Sequence, residues 1–191
     1  MVRKDPDMES VAEETLRHDR VVLTRWREDE IDGLTSLIDA SLERLKPWMP
    51  WAHTHSREAV AGYLAQADTD WASGAAYNYA IREGAADAPI LGSCSMMARI
   101  GEGGWEIGYW IHEDGGGRGL VTMAAAALTR QAFALPGTTH VEIHHDAGNH
   151  ASGAVPARLG FARVERRPDA ELGRETVVWR TERQAAAALT G

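Results

Sequence analysis

The sequence predicts an α/β (α+β) fold, in which a mixed, mostly antiparallel sheet is flanked by helices. Three observations support this fold class. Apolar residues recur at helical spacing in two segments of the N-terminal half, short strand-like apolar segments fill much of the rest, and a glycine-rich loop joins one strand directly to a helix. Together they give the order β-α-α-β-β-β-α-β-α-β-β, which buries the faces of a sheet against helices.

The N-terminal half contains two amphipathic helices that follow a polar segment. Residues 1–18 are charged and lack apolar periodicity, so we expect a mobile lead-in there. Residues 20–25, RVVLTR, are expected to form a short strand. The first helix is predicted over 31–45, where Pro47 stops it, and the second over 56–74, where a Ser-Gly pair closes it.

The C-terminal half alternates strands with two further helices. A meander of three strands precedes the glycine-rich loop, and the last two strands are expected to form a hairpin. We divide the chain into the lead-in, a single domain over 19–181 and an alanine-rich tail over 182–191. The predicted elements are strands at 77–82, 90–100 and 105–112, a helix from the glycine loop to residue 134, a strand at 140–145, a helix at 151–159, and strands at 161–166 and 175–180.

Composition argues against several classes of protein. No apolar run approaches the ~20 residues that a membrane span requires, and the N-terminal segment lacks the apolar core of a signal peptide, so we expect a cytoplasmic protein. Cys94 is the single cysteine, which excludes an intramolecular disulfide. A net charge of −8 argues against nucleic-acid binding and suits the attraction of amines or basic peptides.

The glycine-rich loop is the most informative segment. Residues 104–122 read GWEIGYWIHEDGGGRGLVT, an apolar strand followed by glycines and then by a helix start. Glycines allow main-chain N–H groups to approach oxygen atoms closely, and a helix N-terminus adds unpaired donors with partial positive charge. Such a loop can cradle phosphate. The alternative is a flexible loop that leads into an alanine-rich core helix.

Four segments resemble the GNAT superfamily of acyl-CoA-dependent N-acyltransferases, and within it the RimJ/RimL branch, which acetylates ribosomal-protein N-termini and related amines. They cover roughly residues 20–180 and stand in the family's order. The segments are LERLKPWMPW (42–51), EIGYWI (106–111), GGGRGLVTMAAAAL (115–128) and HHDAGNHASGAVPARLGF (144–161). The resemblance implies a splayed central strand pair, acetyl-CoA as co-substrate, no metal, and direct attack of an amine on the thioester.

The resemblance also assigns residues to coenzyme binding. Main-chain groups at the splay would pair with the pantetheine arm, loop N–H groups would hold the pyrophosphate, Arg118 would add charge, and Asn149 would hydrogen-bond the arm. The loop departs from the family pattern at Gly116 and Val121, and Pro156 is tolerable only in the first turn of its helix or at a kink. The predicted coenzyme-binding residues are Trp110, Ile111, His112, Gly116, Gly117, Arg118, Gly119, Leu120, Val121, Thr122, Asn149 and Ser152.

Two catalytic residues are implied by the resemblance. Glu106 would accept the proton that an amine must lose before it attacks a thioester, and Ser152 would return a proton to the leaving thiolate. The alternative for Glu106 is a solvent-facing strand residue or an ion-pair partner. The alternative for Asn149 and Ser152 is capping of the short helix that follows them.

The aromatic, proline-flanked loop after the first helix predicts an acceptor pocket. Exposed tryptophans are costly, and aromatic rings commonly line ligand pockets. The alternative is that these rings plug an edge of the core. The predicted substrate-binding residues are Trp48, Trp51, His53 and Tyr109.

The histidines do not suggest a metal site, although four of them lie between residues 140 and 150. Neighbouring strand residues such as His144 and His145 point to opposite faces, and no cysteine cluster completes a ligand set. Cys94 has no recognisable activating partner, so we expect a packed or idle thiol.

The sequence therefore predicts an acetyl-CoA-dependent N-acetyltransferase that acts on a primary amine, either a peptide N-terminus or a small-molecule amine. We expect a monomer or homodimer without nucleic-acid or membrane partners. Alternatives are transfer of another acyl group such as succinyl, acetylation of an antibiotic or metabolite amine, and a non-catalytic acyl-CoA-binding sensor.

Overall fold

An eight-stranded sheet flanked by helices forms the centre of this computed structural model, which describes residues 12–169 and 173–186. The strands are β1 (Thr15–His18), β2 (Val21–Arg25), β3 (Ala76–Glu83), β4 (Gly92–Met97), β5 (Gly104–Ile111), β6 (His140–Asp146), β7 (Ala162–Asp169) and β8 (Arg174–Glu182). The helices are α1 (Ile31–Leu45), α2 (Arg57–Ser73), α3 (Leu120–Ala134), α4 (His150–Arg158) and α5 (Arg183–Ala186). 3-10 turns lie at Glu28–Glu30, Pro50–Thr54 and Glu113–Gly115.

The sheet is mixed and mostly antiparallel, which confirms the predicted fold class. Its strand order is β1-β2-β3-β4-β5-β6-β8-β7. Within the described residues, β5 and β6 are the one parallel pair, and every other pair of neighbours is antiparallel. This order places β5 and β6 in the middle of the sheet, with helices packed on both faces.

Part of the predicted lead-in is structured instead. β1 pairs with β2 from Thr15↔Thr24 to His18↔Val21, and Leu16 is buried in the core. An edge strand with one buried apolar residue in four shows too little alternation to be recognised in the sequence. The expectation for residues 1–11 lies outside the described residues, as does the tail beyond residue 186.

Helices α1 and α2 cover one face of the sheet because each presents an apolar stripe. Leu34, Ile38 and Leu45 are buried along α1, and they join α2 side chains in a cluster that also includes Trp26 of the loop after β2. Local signals set the ends of α2: the Ser56 hydroxyl accepts a hydrogen bond from the Ala59 N–H, and Gly74 ends the helix in the left-handed region.

Helix α3 fills the opposite face and carries the main core. Ten of its fifteen residues are buried, and five of these are alanines, whose small side chains let the helix lie close to the sheet. Within the part of the chain that the structure describes, no helix combines the length and apolarity that crossing a membrane requires.

The central parallel pair separates halfway along its length. β5 pairs with β6 from Gly104↔His140 to Ile107↔Ile143, and the pairing ends there. β5 remains paired with β4 as far as Ile111, while β6 remains paired with β8 as far as Asp146. The two strands thus open into a wedge beyond Ile107, which is the splay that the resemblance implied.

Candidate active site

The glycine-rich loop forms a turn of exposed main-chain donors between β5 and α3. The N–H groups of Gly115 and Gly116 close a tight turn on the carbonyl groups of His112 and Glu113, at 3.0 and 2.8 Å. Gly117 and Gly119 then have φ values of 69° and 76°, a region that other residues adopt only under strain. The loop geometry therefore depends on these two glycines.

Helix α3 begins directly after Gly119, so the first N–H groups of the helix face away from any intrahelical acceptor. These are the N–H groups of Leu120, Val121 and Thr122. Together with the positive end of the helix dipole they form a cradle that suits pyrophosphate. Val121, a departure from the family pattern, packs its side chain against the core and leaves its N–H in the cradle.

Arg118 lies in this loop, but its guanidinium turns toward β3. It pairs with Glu83 and donates to the Asp114 carbonyl at 3.1 Å, and Arg20 pairs with the same glutamate at 3.0 Å while donating to the Arg118 carbonyl. Two arginines thus share one carboxylate beside the cradle. A direct contact of Arg118 with phosphate remains a prediction.

Two cavities that share lining residues lie along the wedge and the face of the sheet that α1 and α2 cover. The larger, about 620 Å³, lies between the helices and the sheet, and the smaller, about 290 Å³, lies at the wedge itself. Both are bordered by Met49, Arg99, Gly108 and Tyr109. Gly108 keeps the junction open, because a Cβ there would lie 3.3 Å from the Met97 Cε.

The predicted acceptor tryptophans border different cavities. Trp48 is 37% exposed and lines the smaller cavity, while Trp51 is 41% exposed and lines the larger one, 6.3 Å between ring centroids from Trp110. Neither ring is buried in the core, so the alternative of a core plug does not describe them. The Arg174 guanidinium donates to the Pro47 carbonyl, which ties this loop to β8.

His53, another predicted substrate residue, is not among the side chains that line either cavity. Its Nε2 lies 3.1 Å from the Lys46 carbonyl oxygen and so links the loop to the end of α1. His55, two residues later, lines the larger cavity instead and contacts Asp39 at 3.0 Å. The sequence predicted a histidine here, but the 3-10 turn at Pro50–Thr54 decides which one faces inward.

Comparison with known proteins identifies the family to which a chain with this site belongs. The sequence matches the family model for the acetyltransferase (GNAT) domain over residues 20–162. The chain belongs to the GNAT acetyltransferase family. It is accordingly an N-acetyltransferase that uses acetyl-CoA as co-substrate. A curated relative, "Putative ribosomal N-acetyltransferase YdaF" of Bacillus subtilis (strain 168), is 30% identical over 135 residues, which are 69% of this chain and 72% of the relative.

Solved structures share the fold of this acetyltransferase at lower identity. RimL, a ribosomal L7/L12 α-N-protein acetyltransferase in complex with coenzyme A, matches with a TM-score of 0.82 at 20% identity, over 90% of this chain and 99% of that chain. Mycobacterium smegmatis RimJ gives 0.78 at 20%, over 92% and 91%. The Microcin C7 self-immunity acetyltransferase MccE gives 0.78 at 19%, over 86% and 93%.

Asn149 and Ser152, at the start of α4, border the smaller cavity. The Asn149 side chain accepts a hydrogen bond from the Ser152 N–H at 3.1 Å, so Asn149 caps the helix as the alternative interpretation expected. The Ser152 hydroxyl donates to the Tyr109 hydroxyl at 3.4 Å. Coenzyme contact for Asn149 and proton transfer by Ser152 remain predictions.

Pro156 lies in the interior of α4, not in its first turn, and the structure shows how it is accommodated. A proline has no N–H to donate to the carbonyl four residues earlier, which here belongs to Ser152. That carbonyl accepts the Tyr109 hydroxyl at 2.9 Å instead. Burial raises the pKa of Tyr109 to about 12, so the hydroxyl stays protonated and can donate.

Glu106 of the acetyltransferase is an ion-pair partner. Its two carboxylate oxygens accept hydrogen bonds from the Arg99 Nε at 2.8 Å and the Arg99 Nη2 at 2.6 Å, and the side chain is buried. His144 Nδ1 lies 3.6 Å from the same carboxylate. The structure supports the ion-pair alternative for this residue, while its role as a base remains a prediction.

Arg99 and His144 were missed in the sequence, although both border the smaller cavity. Arg99 lies just beyond β4, within the segment predicted as a strand over 90–100, where no motif marks it. His144 was considered only as a metal ligand. Its neighbour His145 points to the α4 side, where Nδ1 donates to the Asp146 carbonyl at 2.7 Å and Nε2 accepts from Trp179 at 3.0 Å.

Two other candidates, a metal site and the Cys94 thiol, find no support among the described residues. Among the described residues, no group of three or more His, Cys, Asp or Glu side chains is arranged to hold a metal ion. Cys94 is fully buried in mid-strand, and burial raises the pKa of its thiol far above the ordinary value. A neutral, enclosed thiol is a poor nucleophile.

Proposed function

We propose that the enzyme acetylates a peptide N-terminus whose first side chain is apolar. The observation that carries this proposal is the larger cavity, which is lined mainly by apolar and aromatic side chains and opens at Gly108 onto the wedge between β5 and β6. Its volume of about 620 Å³ accommodates one or two residues of an acceptor. The printed name of the Bacillus subtilis relative, a ribosomal N-acetyltransferase, supports a peptide acceptor.

Charge is distributed unequally between the two cavities. Arg99 is the one side chain of fixed charge among the described residues that line the larger cavity. The smaller cavity adds the carboxylates of Glu106, Asp146 and Asp169 and the guanidinium of Arg174, so its carboxylates outnumber its arginines by three to two. An ammonium group is stabilised beside carboxylates, whereas an apolar body gains from burial against Trp51 and Trp110. An acceptor amine therefore belongs at the wedge, with its side chain in the larger cavity.

On the other side of the wedge, the chain offers donors that match the coenzyme. The cradle N–H groups would hold the pyrophosphate, and the main chain of Trp110–His112, which the wedge separates from β6, would pair with the pantetheine arm. Acetyl-CoA supplies an activated thioester to the bound amine. Ser152 and Tyr109 form a hydroxyl pair from which a proton can pass to the departing sulfur.

Thiol release from acetyl-CoA tests this function with matched peptides. Leu-Gly-Gly-amide and Asp-Gly-Gly-amide carry the same amine but differ in the first side chain, and 2-phenylethylamine represents a small amine with an apolar body. We expect faster release and a lower KM with the leucine peptide. A preference for the aspartate peptide would contradict the proposed pocket, and faster turnover of 2-phenylethylamine than of either peptide would contradict a peptide acceptor.

A pair of glycine variants locates the acceptor. Gly108→Val places a branched side chain at the junction of the cavities, while Gly62→Val adds the same atoms at an exposed position of α2 where a Cβ meets nothing within 4 Å. We expect Gly108→Val to raise the peptide KM and Gly62→Val to leave it unchanged. Coenzyme binding without thiol release for any amine would favour a non-catalytic sensor.

A further inference from the structure

His144 occupies the first position of β6 after the pairing with β5 ends. The register stops at Ile107↔Ile143, so the next residue of β6 faces the wedge. Its side chain lies on the same face as Glu106 and Glu142, which oppose each other across the parallel pair. The ring is 14% exposed and borders the smaller cavity. An acceptor amine that reaches the wedge from this side would meet this imidazole.

The Glu142 carboxylate contacts the Nε2 atom of the His144 ring. His144 Nε2 lies 2.6 Å from a Glu142 oxygen, and Arg180 Nε donates to the other oxygen at 2.7 Å. Burial alone would raise the pKa of Glu142, but the hydrogen bonds from His144 and Arg180 outweigh it, and the net pKa is lowered. Glu142 is therefore an anion near neutral pH. An anionic acceptor requires the proton on Nε2, which leaves a lone pair on Nδ1.

Glu106 is less suited to accept a proton. The bidentate pair with Arg99 occupies both oxygens, and protonation would break a pair that is buried on the carboxylate side. The same carboxylate lies 3.6 Å from His144 Nδ1. At that distance it can stabilise positive charge on the ring without forming a hydrogen bond to the neutral form.

We propose that His144 is the proton acceptor of the acetyl transfer, with Glu142 as the residue that orients it and Glu106 as the carboxylate that stabilises its charged form. This inference rests on the proposed function. The bound ammonium gives one proton to Nδ1, and the freed amine forms a C–N bond with the thioester carbon. As the C–S bond breaks, the Ser152–Tyr109 pair gives a proton to the departing sulfur and takes up the second nitrogen proton in its place. One proton leaves through His144 to solvent.

Several charged groups face this ring from the surrounding strands. β5 and the segment before it contribute Glu106 and Arg99. The remaining charged side chains near the ring are Glu142 and Asp146 of β6, Arg167 and Asp169 of β7, and Arg174 and Arg180 of β8. Because these groups carry both positive and negative charges, variants of single residues are needed to assign a titration to His144.

The pH dependence of kcat/KM with Leu-Gly-Gly-amide tests the inference. Glutamine can still donate to Glu142 but cannot accept a proton, so we expect His144→Gln to lower kcat/KM on the order of 10²–10⁴-fold and to remove the rise with pH that the wild type shows. Because the peptide binds as an ammonium ion, loss of its own proton lowers kcat/KM above pH ~8 and is not the source of the rise at lower pH. His140→Gln, on the same strand and face but away from the cavities, should match the wild type.

Glu106→Gln separates the two candidate bases. We expect this variant to keep the His144-dependent rise and to shift it to lower pH, because the imidazolium loses a nearby negative charge. Calorimetric binding of acetyl-CoA at wild-type affinity shows that each variant is folded. Loss of the rise in Glu106→Gln, or its survival in His144→Gln with near-normal kcat/KM, would overturn the inference while leaving the proposed function intact.

The tautomer of His144 provides a test that needs no acceptor. In wild-type enzyme labelled with ¹⁵N-histidine, with His144→Gln used to assign the resonance, the neutral ring should carry its proton on Nε2. A proton on Nδ1 would overturn the inference whatever the acceptor is. If the wild type releases no thiol with any of the three amines, the proposed function fails, and the catalytic role of His144 fails with it.

Discussion

Removal of the Tyr109 hydroxyl should destabilise the protein through Pro156. In Tyr109→Phe, the Ser152 carbonyl loses the donor that replaces the missing proline N–H. A partly buried carbonyl left without a partner costs on the order of 1–2 kcal/mol. For a chain of this length, 1 kcal/mol corresponds to a shift of roughly 2–4 °C in Tm. Urea unfolding, compared at constant m-value, measures the loss directly.

A double-mutant cycle isolates this coupling. Pro156→Ala restores an N–H that can reach the Ser152 carbonyl within α4, so Tyr109→Phe should cost less in the Pro156→Ala background than in the wild type. We expect a coupling free energy of about 0.5–1.5 kcal/mol between the two positions. An equal cost of Tyr109→Phe in both backgrounds would refute the argument, because the carbonyl would then not depend on the tyrosine.

Three further predictions concern the coenzyme, the acceptor and pH. Gly119→Val should weaken acetyl-CoA binding in calorimetry by about tenfold or more, because φ is 76° at the cradle, whereas Gly137→Val, with φ of 75° in the turn after the other end of α3, should leave binding unchanged. Trp51→Ala should raise the peptide KM and leave the acetyl-CoA KM unchanged. Equal increases in both constants would contradict a contact of this ring with the acceptor alone. Stability of the wild type should fall as pH drops below 4.5, the ordinary pKa of a glutamate. The pKa of Glu142 is lower in the folded protein, so its contribution to stability is fully present above pH 4.5 and is lost as pH falls through the folded pKa. Glu142→Gln should flatten this part of the stability curve, and parallel curves would contradict the assignment.

Much of the fold follows from local signals in the sequence. The boundaries of α1 and α2 are set by apolar spacing, by Pro47 and by the caps Ser56 and Gly74, all of which act within a few residues. The glycine loop was recognisable because its conformational requirement is local as well. The order of strands around it agreed with the resemblance, so local and long-range information pointed to the same fold.

The chemistry of the site depends on contacts that no local pattern encodes. The Arg180–Glu142 pair joins residues 38 positions apart, and the Tyr109–Ser152 bond joins residues 43 positions apart. In the sequence, His144 is one of several scattered histidines. The register of the parallel pair places it beside Glu106. Similarly, the sequence shows that Pro156 is unfavourable inside a helix, but it does not show the compensating Tyr109, which lies on β5.

Under the proposed function, the alternation of β6 directs neighbouring side chains to two faces of the sheet with different tasks. His144 turns to the chamber of the acceptor, while His145, one residue later, packs against α4 and is held by Trp179 on the coenzyme side. Substitutions along α1, α2 and their connecting loop can therefore change which amine is accepted without touching the donors that hold the nucleotide. On this assignment acceptor choice and coenzyme binding depend on different residues, so selection can diversify the first while conserving the second.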